Sequence, residues 1–445
     1  MNEYRDIVGV GFGPANLALT VALDEVPGNG TDRPSALFFE RQPEFGWHRN
    51  MLLPSAKMQV AFVKDLVTFR NPGSAYTFVS YLHHVGRLAR FVNNQDFFPT
   101  RLEFHDYLEW VASHFTDRIR YGAEVRAIRP APADGSPGSL EVAVRYRDRP
   151  GSQVVSADNV VISTGLVPRV PDGTVLGERV WHSSQFLGRF RARDWSGARR
   201  VAVVGAGQSA AELTAFCYDN TTNAEIISVV PSYGYSIADD TPFANEVFDG
   251  QAVDDYYFGT KESQDAYWRY HRNTNYSVVD DDLLRELYRR SYDDEFTGAR
   301  RLNFQRLSRI DGVEETADGA RISVRSLSTG QRNHFDVDFV VFGTGYHPMD
   351  PGPLLAEVDQ YLLRDENGRY RVDRHHRLLT RDGFGGGIYL QGGTEQTHGL
   401  SASLLSNMAV RSGEIVGSIL GRAKDGWPWT DSRAADGSEP AAAVS

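Results

Sequence analysis

Cysteine is almost absent from this 445-residue chain: Cys217 stands alone. That excludes an internal disulfide framework and any Cys-x-x-Cys dithiol centre. No apolar run reaches the ~18 residues needed to cross a bilayer, and the opening MNEYRDIVGVG runs straight into a strand pattern without a signal-peptide design. A cytoplasmic, membrane-free protein is expected. An excess of basic charge is missing too. The 47 Lys and Arg are outnumbered by 58 Asp and Glu, for a formal charge of −11, so neither nucleic acid nor an anionic membrane is an expected partner. Metal-ligand spacing and a Gly-x-Ser-x-Gly nucleophile elbow are both lacking, and no metal is expected. Residues 430–445 carry no periodic apolar pattern and read as a disordered tail.

What is present is glycine in two informative places. GVGFGPANL (9–17) and VVGAGQSAAE (203–212) each follow an apolar run and precede a helix-like stretch. This is the strand-turn-helix context in which Gly-x-Gly-x-x-Gly binds a dinucleotide. Gly9 is expected to make the tight turn and Gly11 to let the backbone approach a pyrophosphate. Gly13 and Pro14 then open a helix whose free N–H groups meet the anion. Glu40 ends the next strand, where an acidic side chain grips the ribose hydroxyls. In the second motif Gly205, Gly207 and Ala210 fit the Gly-x-Gly-x-x-Ala variant. Two ordinary strand-to-helix turns remain the alternative.

The length calls for two or three domains. VVISTGLVPRVP (160–171) and DFVVFGTGYHP (338–348) are buried-strand patterns ending in Thr-Gly, suited to chain crossings between two nucleotide-binding units or to plain tight turns. The fold class is α/β, with two Rossmann-like dinucleotide-binding domains and a smaller, mainly helical insertion. Residues 1–163 and 346–429 form a discontinuous FAD domain, and 164–208 with 286–345 an NAD(P)H domain. Residues 209–285, rich in Asp, Tyr and Asn, form a substrate-binding insertion. Taken alone, Lys64 reads as a snorkelling surface lysine, and Asn245 and Asn275 as turn asparagines.

The chain resembles the microbial flavin monooxygenases that hydroxylate the side-chain amine of L-ornithine or L-lysine in siderophore biosynthesis. The phrases that carry the resemblance are GFGPANLAL, FGWHRNMLLPSAKMQVAFVKDLVTFRNPGSAYTFVSYL (45–82), FPTRLEFHDYLEW (98–110), VVGAGQSAAE, DDTPFANEVF (239–248), NYSVVD (275–280), FGTGY (342–346) and THGLSASLLSNMAVR (397–411). It implies that Lys64, Asn245 and Asn275 hold the amino acid's α-carboxylate and α-amine. It also implies that Trp47, His48, Met58, Gln59, Arg101 and Tyr276 lie near the flavin. Thr397, His398, Gly399 and Leu400 would open a helix whose N-terminus stabilises reduced FAD. Gln208 and Ser209, with Thr344 and Gly345, would touch the nicotinamide nucleotide.

The implied cofactors are FAD and NADPH, with O2 and a small amine as co-substrates and oxygen activated as a flavin C4a-hydroperoxide. LGERVWHSSQF (176–186) has four residues between Gly177 and His182 and no following tryptophan. It departs from the Phe-x-Gly-x-x-x-His-x-x-x-Trp of ketone-oxygenating relatives and favours amine hydroxylation. L-lysine, putrescine or cadaverine as substrate, and a non-catalytic flavin-binding redox module, are the competing readings. Self-association stays open. Residues 201–260 contain no Lys, Arg or His, and the strand EIISVV ends in Pro231, Ser232 and Tyr233. No basic group is therefore expected at the usual 2′-phosphate position, and NADH should also be accepted.

Overall fold

The computed structural model describes residues 3–28, 33–54, 56–132 and 139–421; the expected tail lies outside them. Among these residues two separate nucleotide-type sheets form, which gives the α/β class its physical content. In the first, Glu3–Val10 runs parallel to Ala36–Glu40 on one side and to Ser152–Ile162 on the other. Ile119–Tyr121 extends the sheet beyond Ala36–Glu40. The long strand Ser152–Ile162 takes two partners on its far side: Leu140–Tyr146 antiparallel along its first half and Gly387–Leu390 parallel along its second. Its apolar residues Val155, Val160, Val161 and Ile162 are buried, as befits a strand covered on both faces. Helix Pro14–Asp24 packs over this sheet. Proline at its first turn costs no hydrogen bond, and its length is almost entirely buried.

The second sheet is wholly parallel, in the order Leu302–Gln305, Glu225–Val229, Arg200–Val204, Phe339–Phe342, Val180–His182. A separate antiparallel meander, Ser308–Glu315, Ala320–Ser326 and Arg332–Val337, packs against it through Ile310, Ile322, Val324 and Val337. The chain passes between sheets at the two Thr-Gly phrases, where Leu166–Pro168 and Tyr346–Pro348 pair antiparallel. Both crossings therefore sit side by side.

The boundary expected at residue 209 moves. It falls inside helix Gln208–Asn220, which packs on the second sheet through Ala210, Leu213 and Cys217, and Glu225–Val229 is an inner strand of that sheet. Only the part after Pro231 is inserted: Pro242–Asn245, Gly250–Tyr257 and Lys261–His271 are helical. The aromatic richness of the segment hid an ordinary strand-helix-strand unit at its start. Among the described residues no helix is long and apolar enough to cross a membrane.

Candidate functional site

The first glycine turn differs from expectation in one respect. Gly9 lies within the strand, paired with Phe38, and a Cβ there would stand 2.0 Å from the Phe38 ring. It serves close strand packing and makes no turn. Gly11 makes the turn at φ +84°, where a Cβ would meet Ser163 O at 2.4 Å. Gly13 caps helix Pro14–Asp24 in extended conformation with nothing within 4 Å of a built Cβ, so the helix N-terminus opens onto free space. Glu40 is buried at the strand end. Its two oxygens accept from Phe12 N (2.7 Å) and Gln42 N (2.8 Å), and each keeps a lone pair for a hydroxyl.

The second turn repeats the design. Gly205, at φ +141°, approaches Gly343 O so closely that a Cβ would stand 2.4 Å away. Gly207 caps helix Gln208–Asn220 in extended conformation. The two helix N-termini border one cavity of about 2000 Å³, well beyond the ~300–1000 Å³ of a single-ligand pocket. Gly11, Gly13, Pro14 and Glu40 wall one end, and Gln208 and Ser209 another. Trp47, His48, Met58, Gln59, Lys64, Arg101, Asn245 and Asn275 line it as well. The structure thus gathers these expected residues from three parts of the chain.

Others lie elsewhere. Tyr276 borders a separate depression with Arg169, Trp268 and Arg272. Thr344 and Gly345 close the strand crossing: Thr344 O accepts from Arg169 Nε at 3.0 Å, and Gly345 O accepts from His182 Nε2 at 3.0 Å. Residues 397–400 do not open a long helix. Glu395–His398 is a single turn, Gly399 breaks it at φ +72°, and the helix begins only at Met408. Leu400 N donates to Tyr267 Oη (3.0 Å), and His398 stacks on His376 at 4.0 Å. The segment thereby seats the helical insertion. The cavity wall is supplied a few residues later, by Ser403, Ser406, Met408 and Arg411.

Electrostatics at the centre rest on partners distant in sequence. Arg101 makes a bidentate pair with Glu212 (2.8 and 3.0 Å) and donates to Met51 O (2.7 Å). Gln208 Nε2 donates to Asp280 (2.9 Å) and, at 3.2 Å, to Glu212; Asp280 N donates back to Gln208 Oε1 (3.0 Å). Burial, and then Glu212, raise the Asp280 pKa. His48 is exposed on the cavity side, and desolvation by the surrounding protein and the Arg101 charge push its pKa down to about 4. Lys64 sits over the Phe248 ring (5.5 Å); burial lowers its pKa, against an opposing pull from Asp249. Asn245 Nδ2 donates to Asp240 O (2.7 Å), which leaves the amide oxygen as an acceptor.

Sequence reasoning passed over Glu212, Asp280, Gln391 and Arg411, although three of the four stand inside quoted phrases. Arg411 is fully enclosed with its pKa lowered to about 10 by burial. Its Nε, with Gln391 Oε1 and Ser406 Oγ, is buried without a partner among the described residues, and all three residues line the cavity. Such atoms fit a large polar ligand that would complete their hydrogen bonds.

Two glycine-turn helices aimed into one large cavity, with unsatisfied polar atoms in its wall, define a protein able to hold two dinucleotides together. The model for the family described as L-lysine 6-monooxygenase/L-ornithine 5-monooxygenase matches residues 3–348. The chain is 36% identical over 428 residues to L-ornithine N(5)-monooxygenase of Pseudomonas aeruginosa, covering 95% of each. It is 40% identical over 401 residues to that of Burkholderia cepacia, covering 88% of this chain and 89% of the relative. The solved ornithine N-hydroxylase of Kutzneria sp. 744, with reduced FAD, NADP+ and L-ornithine, superimposes with a TM-score of 0.90 at 56% identity, covering 94% of this chain and 99% of that one. This chain belongs to the L-lysine 6-monooxygenase/L-ornithine 5-monooxygenase family, and so to the flavin-dependent monooxygenases.

Proposed function

We propose that this protein hydroxylates the side-chain amine of L-ornithine at N5, using FAD, NADPH and O2, to supply a hydroxamate siderophore or a related natural product. The observation that carries the reading is the single cavity bordered by both glycine-turn helices, with Lys64, Asn245 and Asn275 on its wall. The first sheet, with Gly11, Gly13, Pro14 and Glu40, would hold FAD. The second, with Gln208 and Ser209, would hold the nicotinamide nucleotide. Bound flavin supplies hydride acceptance and oxygen activation. The balance is one amine, O2, NADPH and a proton giving a hydroxylamine, water and NADP+. A donor drawn from the cell's NADPH pool supports a cytoplasmic address.

The protein's own part is positioning. Lys64 can pair with an α-carboxylate, the free amide oxygen of Asn245 can accept from an α-ammonium, and the Asn275 amide can donate and accept toward the same zwitterion. Only a neutral amine has a lone pair to give, whereas a free alkylammonium has a pKa of roughly 10.4. Enclosure of the cavity shifts the substrate amine toward neutrality, as burial already does for Lys64. Lysine is longer by one methylene, which a pocket discriminates by only ~1–3 kcal/mol. The test is mass spectrometry of products from FAD-loaded protein given NADPH, O2 and, separately, ornithine, lysine, putrescine and cadaverine. N5-hydroxyornithine as the dominant product is expected. A lysine or diamine product in its place overturns the substrate, and NADPH oxidation without any hydroxylated product overturns the activity.

A further inference from the structure

The second sheet lacks a basic residue where a dinucleotide fold normally meets a 2′-phosphate, at the end of its second strand. Here that strand is Glu225–Val229, followed by Val230, Pro231, Ser232 and Tyr233. The neighbouring strand fills the gap. Leu302–Gln305 runs parallel to it with Val229 opposite Gln305, and the two strand ends are laced by backbone bonds. Val230 N donates to Gln305 O (3.1 Å), Leu307 N to Ser232 O (2.8 Å) and Ser308 N to Val230 O (2.9 Å). Leu307 adopts φ +46° to allow this. Arg306, between the laced residues, is thereby fixed beside the Pro231-Ser232-Tyr233 turn. Its guanidinium lies over the Tyr233 ring at 5.6 Å.

Two features suit this arginine to a phosphate. Arg325 and Arg332 are both taken up by Asp311 (3.5 and 2.8 Å), whereas Arg306 forms no ion pair among the described residues. Tyr233 is 72% exposed, so the pair stands open to an incoming ligand. A planar guanidinium held on an aromatic face presents its N–H edge to phosphate oxygens with little further ordering.

We propose that Arg306 recognises the 2′-phosphate of NADPH, replacing a basic residue at the end of strand Glu225–Val229 and making the protein selective for NADPH over NADH. The proposal rests on the reading that the second glycine turn binds a nicotinamide nucleotide. It also revises the expectation that, with no basic group at the end of that strand, NADH would be accepted as well.

Titration calorimetry of the FAD-loaded protein with 2′,5′-ADP and with 5′-AMP tests it without turnover. The wild-type protein is expected to bind 2′,5′-ADP at least tenfold more tightly than 5′-AMP. Arg306→Ala should lose that factor with 5′-AMP affinity unchanged, and Arg306→Lys should keep part of it. Arg306→Gln serves as a second neutral variant, with the unfolding temperature showing that this exposed turn still folds. Full preference retained in both neutral variants, or no preference in the wild-type protein, overturns the proposal. Binding of neither nucleotide by the wild-type protein overturns the nucleotide reading of the second turn, and this proposal with it.

Discussion

Lys64 shows how one side chain can be poised for a charged ligand. Its ammonium is held partly out of water over Phe248, and burial lowers its pKa, so an incoming carboxylate restores what desolvation took away. A charge-assisted bond of roughly 1.5–3 kcal/mol corresponds to about a 10- to 100-fold change in affinity. Lys64→Ala should raise the KM for ornithine by that order while stopped-flow reduction of the flavin by NADPH stays near the wild-type rate; equal loss in both steps would mark a structural role. His182 offers a test of pH. Its Nδ1 accepts from Ser184 N (3.1 Å) and its Nε2 faces Gly345 O (3.0 Å), and burial pushes its pKa down to about 4. Between the unfolded pKa of ~6.5 and the folded value the unfolded chain binds more protons. The stability this neutral ring contributes is therefore complete above pH ~6.5 and is lost as pH falls toward 4. Urea unfolding at pH 7 and pH 5 should show a loss in the wild-type protein that is smaller in His182→Gln, and an equal loss in both would reject the assignment.

Each glycine turn divides its work among glycines that look alike in sequence. Gly11→Ala must displace Ser163 O from a 2.4 Å contact at a left-handed φ, and it should give destabilised, colourless protein. Gly13→Ala meets nothing within 4 Å. It should fold with an unchanged unfolding temperature without FAD, yet hold FAD more weakly, because the added methyl stands in the space left for the pyrophosphate. Gly207→Ala is tolerated by the same reasoning, its Cβ lying 3.6 Å from Ser277 Cα. The purified variant should be yellow and slow to be reduced by NADPH. Loss of flavin absorbance from Gly207→Ala would mean that the two turns have been assigned to the wrong nucleotides.

Across the whole molecule, the two sheets are joined at the cavity by the Arg101–Glu212 pair, 12% and 5% exposed, and by Asp280 bridging Gln59 (3.4 Å) and Gln208. Arg101 begins a helix of the first unit, while Glu212 lies on the helix that follows the glycine turn of the second. Breaking a buried pair strands a charge, at a cost of about 3 kcal/mol. Glu212→Gln should lower the urea midpoint accordingly and slow flavin reduction by NADPH. Unchanged stability would show that the pair is solvated through the cavity.

Much of this protein was written locally. The two glycine turns, the acidic residue at the end of Ala36–Glu40 and the Thr-Gly crossings are short-range patterns, because strand, tight turn and helix N-terminus each depend on a few neighbouring residues. The family phrases placed Trp47, Lys64, Asn245 and Gln208, and all four line one cavity. What the sequence could not decide was which groups meet across the fold. Arg101 finds Glu212, residues 397–400 hold Tyr267 and His376 in place of the cavity wall, and Arg306 enters from the neighbouring strand to stand beside Tyr233. Charge pairing and stacking act through space over distances that local patterning does not encode, so only the packing of the two sheets and the insertion against one another could select those partners.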